Sequence, residues 1–284
     1  MYALCYRQPV GQNQRLDKTI GILENIYKCK LLDIPVEVLT SFWMFPQSSG
    51  HSSINQCYTP KTPLSNTKTH RFHKDLLKKR KCIRMLERLC ESSQVILIKT
   101  IRLSMKLLPE ILENILDLKI VHLVRDPRAI LHSREGISDI TYFQIRAHAR
   151  GLCNRIKDDM ESGFLQNVFR LKYECLIFDT INTVKQLFTD LNLIHTNSVD
   201  DWFKSHTRAN YTTFDNKFGV HRGNSLEISS KWFEKIPESV LKIINEECSL
   251  TYQRLGLVTK DESFKTPTSR SQITNMYTSM CLKQ

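Results

Sequence analysis

The stretch VHLVRDPRAILHSREG, residues 121–136, decides how this chain is read. It presents a strand, an abrupt charged turn and a helix. KIVHLV (119–124) is short and rich in Ile, Val and Leu, as expected of a buried strand. Asp126 is a favoured helix N-cap and Pro127 suits the first helical position, so a helix starts as soon as the strand ends. In an open α/β sheet, ligands sit beyond the carboxyl ends of the strands, and Arg125 stands at such an end. The helix start adds unpaired N–H groups and a partial positive charge, and the Arg fork matches a phosphate. Ser133 follows two turns into the helix, on the order of 10 Å along its axis at ~1.5 Å per residue. An extended Arg side chain closes much of that gap. Arg125 and Ser133 are therefore candidates to hold one phosphate, against the plainer reading of a helix cap with a surface Ser.

Outward from this stretch the pattern stays regular. VILIK (95–99) is read as an earlier strand and 104–117 as a helix. A longer helix is expected at 142–161 and a third strand at VFRLKY (168–173). Helices follow near 177–190, 198–206 and 237–254. Strands alternating with helices predict an α/β fold in three layers, a parallel sheet flanked by helices. Further upstream, LDKTIGILENIYKCKLLDI (16–34) has helical spacing, and PQSSGHSSINQCYTPKTPLSNTKT reads as loop. In HRFHKDLLKKRKCIRMLERLC (70–90) apolar residues recur at helical intervals, and the basic residues between them read as a solvated face rather than an anion-binding one. The ending KDESFKTPTSRSQITNMYTSMCLKQ has no evident periodicity and is expected to be disordered. The resulting organisation is a poorly specified segment over 1–69, one domain over 70–260 and a disordered tail over 261–284.

Composition bounds the function. The 284 residues carry a net charge of +12, which favours anionic partners: nucleotide phosphates, nucleic acid, acidic sugars or an anionic membrane face. The nine Cys show no C-x-x-C pair and no Cys/His zinc spacing, so no metal site is expected. Their odd count fits reduced thiols in the cytosol or disulfides in a secretory lumen, and composition alone favours the first. No apolar run is long enough to cross a membrane and no signal-peptide pattern is present, so no membrane span is expected. Asn210 begins a glycosylation sequon of a kind that arises by chance. A nucleic-acid-binding role is not expected, because no recognition motif accompanies the charge.

VHLVRDPRAILHSR resembles the 3′-phosphate-binding motif of the Golgi carbohydrate sulfotransferases, most closely those that sulfate the 6-hydroxyl of galactose, N-acetylglucosamine or N-acetylgalactosamine. Further segments are similar in the same order: LIKTIRLSMKLLPEIL (97–112), LKYECL (171–176), DDWFKSHTR (200–208), and FGVHRGNS, KWF and CSLTYQRLGL within 218–257. LKYECL departs from the family's Arg-Tyr-Glu-Asp-Leu at Lys172 and Cys175, and Gly223 interrupts the Arg-Asn-Ser element. The resemblance covers roughly residues 80–257. It implies a P-loop NTPase-like sulfotransferase fold and 3′-phosphoadenosine 5′-phosphosulfate as donor, with Arg125 and Ser133 on its 3′-phosphate and Arg222 in a loop closing over it. It also implies a glycan acceptor, a Golgi location and a disulfide between Cys153 and Cys248.

The family's 5′-phosphosulfate loop has no counterpart beyond a faint compositional echo in SSGHSS (48–53). Its Phe-Glu-Pro segment and membrane anchor are unmatched as well. The chain is thus expected to be a truncated or divergent member, lacking the first strand and loop: either an active sulfotransferase or a non-catalytic remnant that binds the nucleotide or an acidic glycan. No catalytic base is assigned. His122 reads as a core residue of a buried strand. Glu174 has two equal readings, a group near the sheet edge or a carboxylate favouring a helix N-terminus.

Overall fold

The structure, a computed structural model, describes residues 12–35, 76–101, 103–135, 144–162, 167–207, 225–257 and 269–282. The chain divides into two units, Met1–Asp117 and Leu118–Gln284.

In the first unit, α1 (Gln12–Tyr27) leads through a 3-10 turn at Leu31–Asp33, and α2 spans Leu76–Glu91. Ile22, Leu31, Ile34 and Ile83 form a small core. A disulfide joins Cys29 to Cys90, and the Glu87 carboxylate accepts from the Leu32 amide at 2.8 Å. Arg80, Lys81, Arg84 and Arg88 of α2 are exposed. A second 3-10 turn at Met105–Leu107 runs into α3 (Leu108–Asn114). The strand expected at 95–99 does not form. Val95 is 58% and Leu97 90% exposed, and neither pairs with a strand among the described residues. An apolar run becomes a strand only where it finds an edge to pair with.

In the second unit, β1 (Ile120–Val124) is followed by α4 (Pro127–Glu135) and α5 (Ile145–Glu161). The chain then returns as β2 (Val168–Lys172), parallel to β1 and in register from Ile120 opposite Val168 to Val124 opposite Lys172. The described residues therefore carry a mostly helical α/β arrangement around a two-stranded parallel sheet, rather than the three strands expected. After β2 come α6 (Tyr173–Phe178), α7 (Thr180–Asp190), α8 (Asn197–Thr207), α9 (Ser225–Ser230), α10 (Trp232–Lys235) and α11 (Glu238–Leu255). Gly256 ends α11 with φ 78°, the left-handed conformation glycine adopts without a Cβ penalty, and the Leu257 amide returns to the Tyr252 carbonyl at 2.9 Å.

The core lies where α5 and α11 pack, with Ala149, Leu152 and Cys153 on one side and Ile244, Cys248 and Tyr252 on the other. A disulfide between Cys153 and Cys248 crosses it, the pairing that the resemblance implies. On its rim, Arg146 and Arg150 bind Glu247 at 2.6 and 2.9 Å, and the exposure of both Arg side chains keeps that contribution small.

The tail expected to be disordered carries a further helix, α12 (Arg270–Leu282). Its Ile273, Tyr277 and Met280 are almost completely buried in the same core, and Cys281 is disulfide-bonded to Cys175. These residues follow the i, i+4, i+7 spacing of one helix face; the Ser and Thr between them obscure it in the sequence. Three disulfides among the described residues also overturn the reduced-thiol reading, because the partners are brought together only by the fold, across separations of 61 to 106 residues.

Candidate functional site

Three charged residues, Arg125, Asp126 and Arg128, build the turn from β1 into α4. Asp126 caps α4 as its residue type predicts: its Oδ1 accepts from the Arg128 amide at 2.9 Å. The Asp126 amide donates in turn to Oε1 of Glu174 at 2.9 Å. Arg128 is fully buried and lays its fork on the Asp126 carboxylate, Nε at 2.9 Å from Oδ1 and Nη2 at 2.7 Å from Oδ2. Its guanidinium lies 4.3 Å from the Trp232 ring centre and 4.7 Å from that of Tyr252. Burial is the largest influence and works against that charge, but the Asp126 carboxylate, joined by Tyr252 and Tyr277, holds the guanidinium pKa above its ordinary value. The Tyr277 hydroxyl donates to Asp126 Oδ2 at 2.9 Å and accepts from Trp232 Nε1 at 3.2 Å.

Arg125, next to this buried lock, is held differently. Its guanidinium stacks over Tyr173 at 4.4 Å from the ring centre. Its Nε is buried and has no hydrogen-bond partner among the described residues. A donor in that state at the carboxyl end of a strand is suited to an anion arriving from outside. Ser133 is exposed on α4, six residues beyond Pro127 and about 9 Å along the axis at 1.5 Å per residue. Arg222 and the SSGHSS stretch lie outside the described residues.

His122 sits inside β1 opposite Arg170, half-buried, and is not at the strand end. Burial, and then the Arg170 charge, lower its pKa, which favours a neutral core imidazole. Glu174 is buried against the turn, and its pKa is pushed up to about 7, first by burial and then by the Asp126 charge. The hydrogen bond from the Asp126 amide and the Arg125 charge oppose that rise. A carboxyl whose folded value lies above its ordinary 4.5 keeps a proton in the native state that the unfolded chain has already lost. Native stability therefore falls as pH rises from about 4.5 to about 7, and the penalty is complete above that window. Glu174→Gln retains an oxygen for the Asp126 amide and cannot ionise. Its melting temperature is expected to rise relative to the parent between about pH 5 and about pH 8 in thermal scans. A constant gap across that range would show that Glu174 does not titrate there.

Sequence reasoning missed Arg128 and Tyr277. The Arg sits in the motif itself, and nothing local ties Asp126, its partner, to an aromatic side chain about 150 residues later. The two departures in LKYECL were the available signal. Lys172 Nζ donates to the Met280 carbonyl at 3.0 Å, and Cys175 bonds to Cys281, so both departures fasten α12.

No family model and no solved structure matches the chain. Among curated proteins, carbohydrate sulfotransferase 3 of Mus musculus is 24% identical over 251 residues, covering 78% of this chain and 51% of its own length. Carbohydrate sulfotransferase 3 of Homo sapiens is 24% identical over 286 residues, covering 89% of this chain and 56% of its own. Carbohydrate sulfotransferase 5 of Mus musculus is 27% identical over 193 residues, covering 59% and 49%. The chain spans about half the length of the curated relatives it matches.

Proposed function

We propose, from the premise that this chain is related to the carbohydrate sulfotransferases, that it transfers a sulfuryl group from 3′-phosphoadenosine 5′-phosphosulfate to a glycan hydroxyl. In this reading the turn after β1 receives the donor's 3′-phosphate, within a P-loop NTPase-like sheet arrangement. The observation that carries it is Arg125: a guanidinium at the strand end with a buried Nε that no described residue satisfies. Ser133 lends its hydroxyl from the face of α4, and Arg222 is the cation that closes over the donor. The acceptor is the 6-hydroxyl of galactose, N-acetylglucosamine or N-acetylgalactosamine, the preference that the sequence resemblance carries. Three disulfides among the described residues support residence in an oxidising lumen such as the Golgi.

The reaction follows the logic of phosphoryl transfer. The acceptor oxygen attacks sulfur in line, and the bond from sulfur to the bridging phosphate oxygen breaks. That oxygen leaves with the electron pair as 3′-phosphoadenosine 5′-phosphate, and the acceptor proton passes to a base. Arg125 and Ser133 contribute by fixing the nucleotide, which sets the direction of attack.

The test is a thermal shift with 3′-phosphoadenosine 5′-phosphate. The nucleotide is expected to raise the melting temperature, and Arg125→Ala to abolish the rise. Ser133→Ala should weaken binding about tenfold, the loss of one hydrogen bond to a charged group. An intact protein that gives no shift would sink the proposal. Binding without transfer of radiolabelled sulfate to a sugar acceptor would point instead to a nucleotide-binding remnant, the reading favoured by the unmatched 5′-phosphosulfate loop.

A further inference from the structure

We infer that α12 is a working part of the 3′-phosphate turn, with Tyr277 as its positioning residue and the Cys175–Cys281 bond as its fastening. The inference rests on the donor-site reading above and adds to it a dependence on an element beyond the motifs that carry the sequence resemblance.

Three consecutive residues at the start of α6 each hold one component. The Tyr173 ring carries the Arg125 guanidinium, Glu174 accepts the Asp126 amide, and Cys175 is bonded to Cys281. From the opposite side Tyr277 reaches the same turn through Asp126 Oδ2, while Trp232 Nε1 fixes the direction of its hydroxyl. The Lys172 ammonium on the Met280 carbonyl ties the end of α12 to the last residue of β2. The Asp126 side chain is therefore held by α4 and α12, and its amide by α6.

That matters because Asp126 does two things at once. Its side chain caps α4, and its amide is pinned beside Arg125, so its orientation sets both the start of the helix and the path of the neighbouring backbone. Removing the Tyr277 hydroxyl leaves Oδ2 to Arg128 alone and loosens that orientation. Breaking the Cys175–Cys281 bond frees the end of α12 one residue away from Glu174, with the same effect from a distance. Recognition of the 3′-phosphate is thereby coupled to the oxidation state of this one cysteine pair.

The experiment compares 3′-phosphoadenosine 5′-phosphate with adenosine 5′-phosphate, which lacks the 3′-phosphate, by calorimetric titration of the full chain. The preference for the first nucleotide isolates the turn from the rest of the site. In Tyr277→Phe that preference is expected to fall about tenfold, with affinity for adenosine 5′-phosphate held within about twofold. The double variant Cys175→Ser/Cys281→Ser should move in the same direction, and it carries the test alone if Tyr277→Phe does not fold. An unchanged preference in either folded variant, or equal losses for both nucleotides, would overturn the inference, since a purely structural tyrosine weakens both alike. A parent protein that binds the two nucleotides equally would instead refute the donor-site reading, and that result is obtained before any variant is made.

Discussion

Replacing Arg128 by alanine is expected to destabilise the second unit by about 3–5 kcal/mol, the usual consequence of removing one partner of a buried ion pair. The side chain is fully buried, and the change strands Asp126, which is 1% exposed, with a charge opposed among the described residues by the Tyr277 hydroxyl and the amide of residue 128. It also empties the space between Trp232 and Tyr252, two large rings with no solvent exposure of their own. Urea denaturation followed by circular dichroism reads the effect. Arg128→Lys should recover little, because an ammonium cannot reproduce the fork that spans both carboxylate oxygens. Arg128→Ala combined with Asp126→Ala should cost less than the sum of the single changes, since the second change removes the stranded charge. A loss below about 1 kcal/mol for Arg128→Ala would mean that water reaches Asp126.

The second large effect is expected from Cys153→Ala/Cys248→Ala. The bond joins residues 95 apart in sequence, and opening a loop of that length releases chain entropy worth about 4–5 kcal/mol. Both sulfurs lie in the packed seam between α5 and α11, so the substitution also loses contacts that a surface bridge would not have made. The double change is the right comparison because a single one leaves a buried thiol with its own chemistry. Thermal scans under non-reducing conditions should place the variant well below the parent; overlapping transitions would show that packing of the two helices suffices without the bond.

Much of the turn was legible because its signals are local. A β-branched run, an N-cap and a Pro lie within eight residues, and each acts through its own backbone. The same reasoning failed at VILIK, where composition matches a strand but pairing depends on an edge that sequence does not reveal. It failed again over 270–282, where Ser and Thr mask three core positions on one helical face. The inner lock was beyond local reading altogether: Asp126, Glu174, Trp232 and Tyr277 meet only after the chain has folded, and a polar residue in such a cluster looks like any surface residue until its partners are known.

The span between Asp126 and Tyr277, 151 residues, has a consequence for biosynthesis. At typical elongation rates of about 5–20 residues per second, the tyrosine is made roughly 10–30 s after the aspartate it binds. During that interval the strand–turn–helix segment has been made, with its aspartate and arginine awaiting a distant ring. A premature stop anywhere between 258 and 276 would leave all the family-like motifs translated and still deprive the turn of its last support. In this chain the turn after β1 is translated early and completed late.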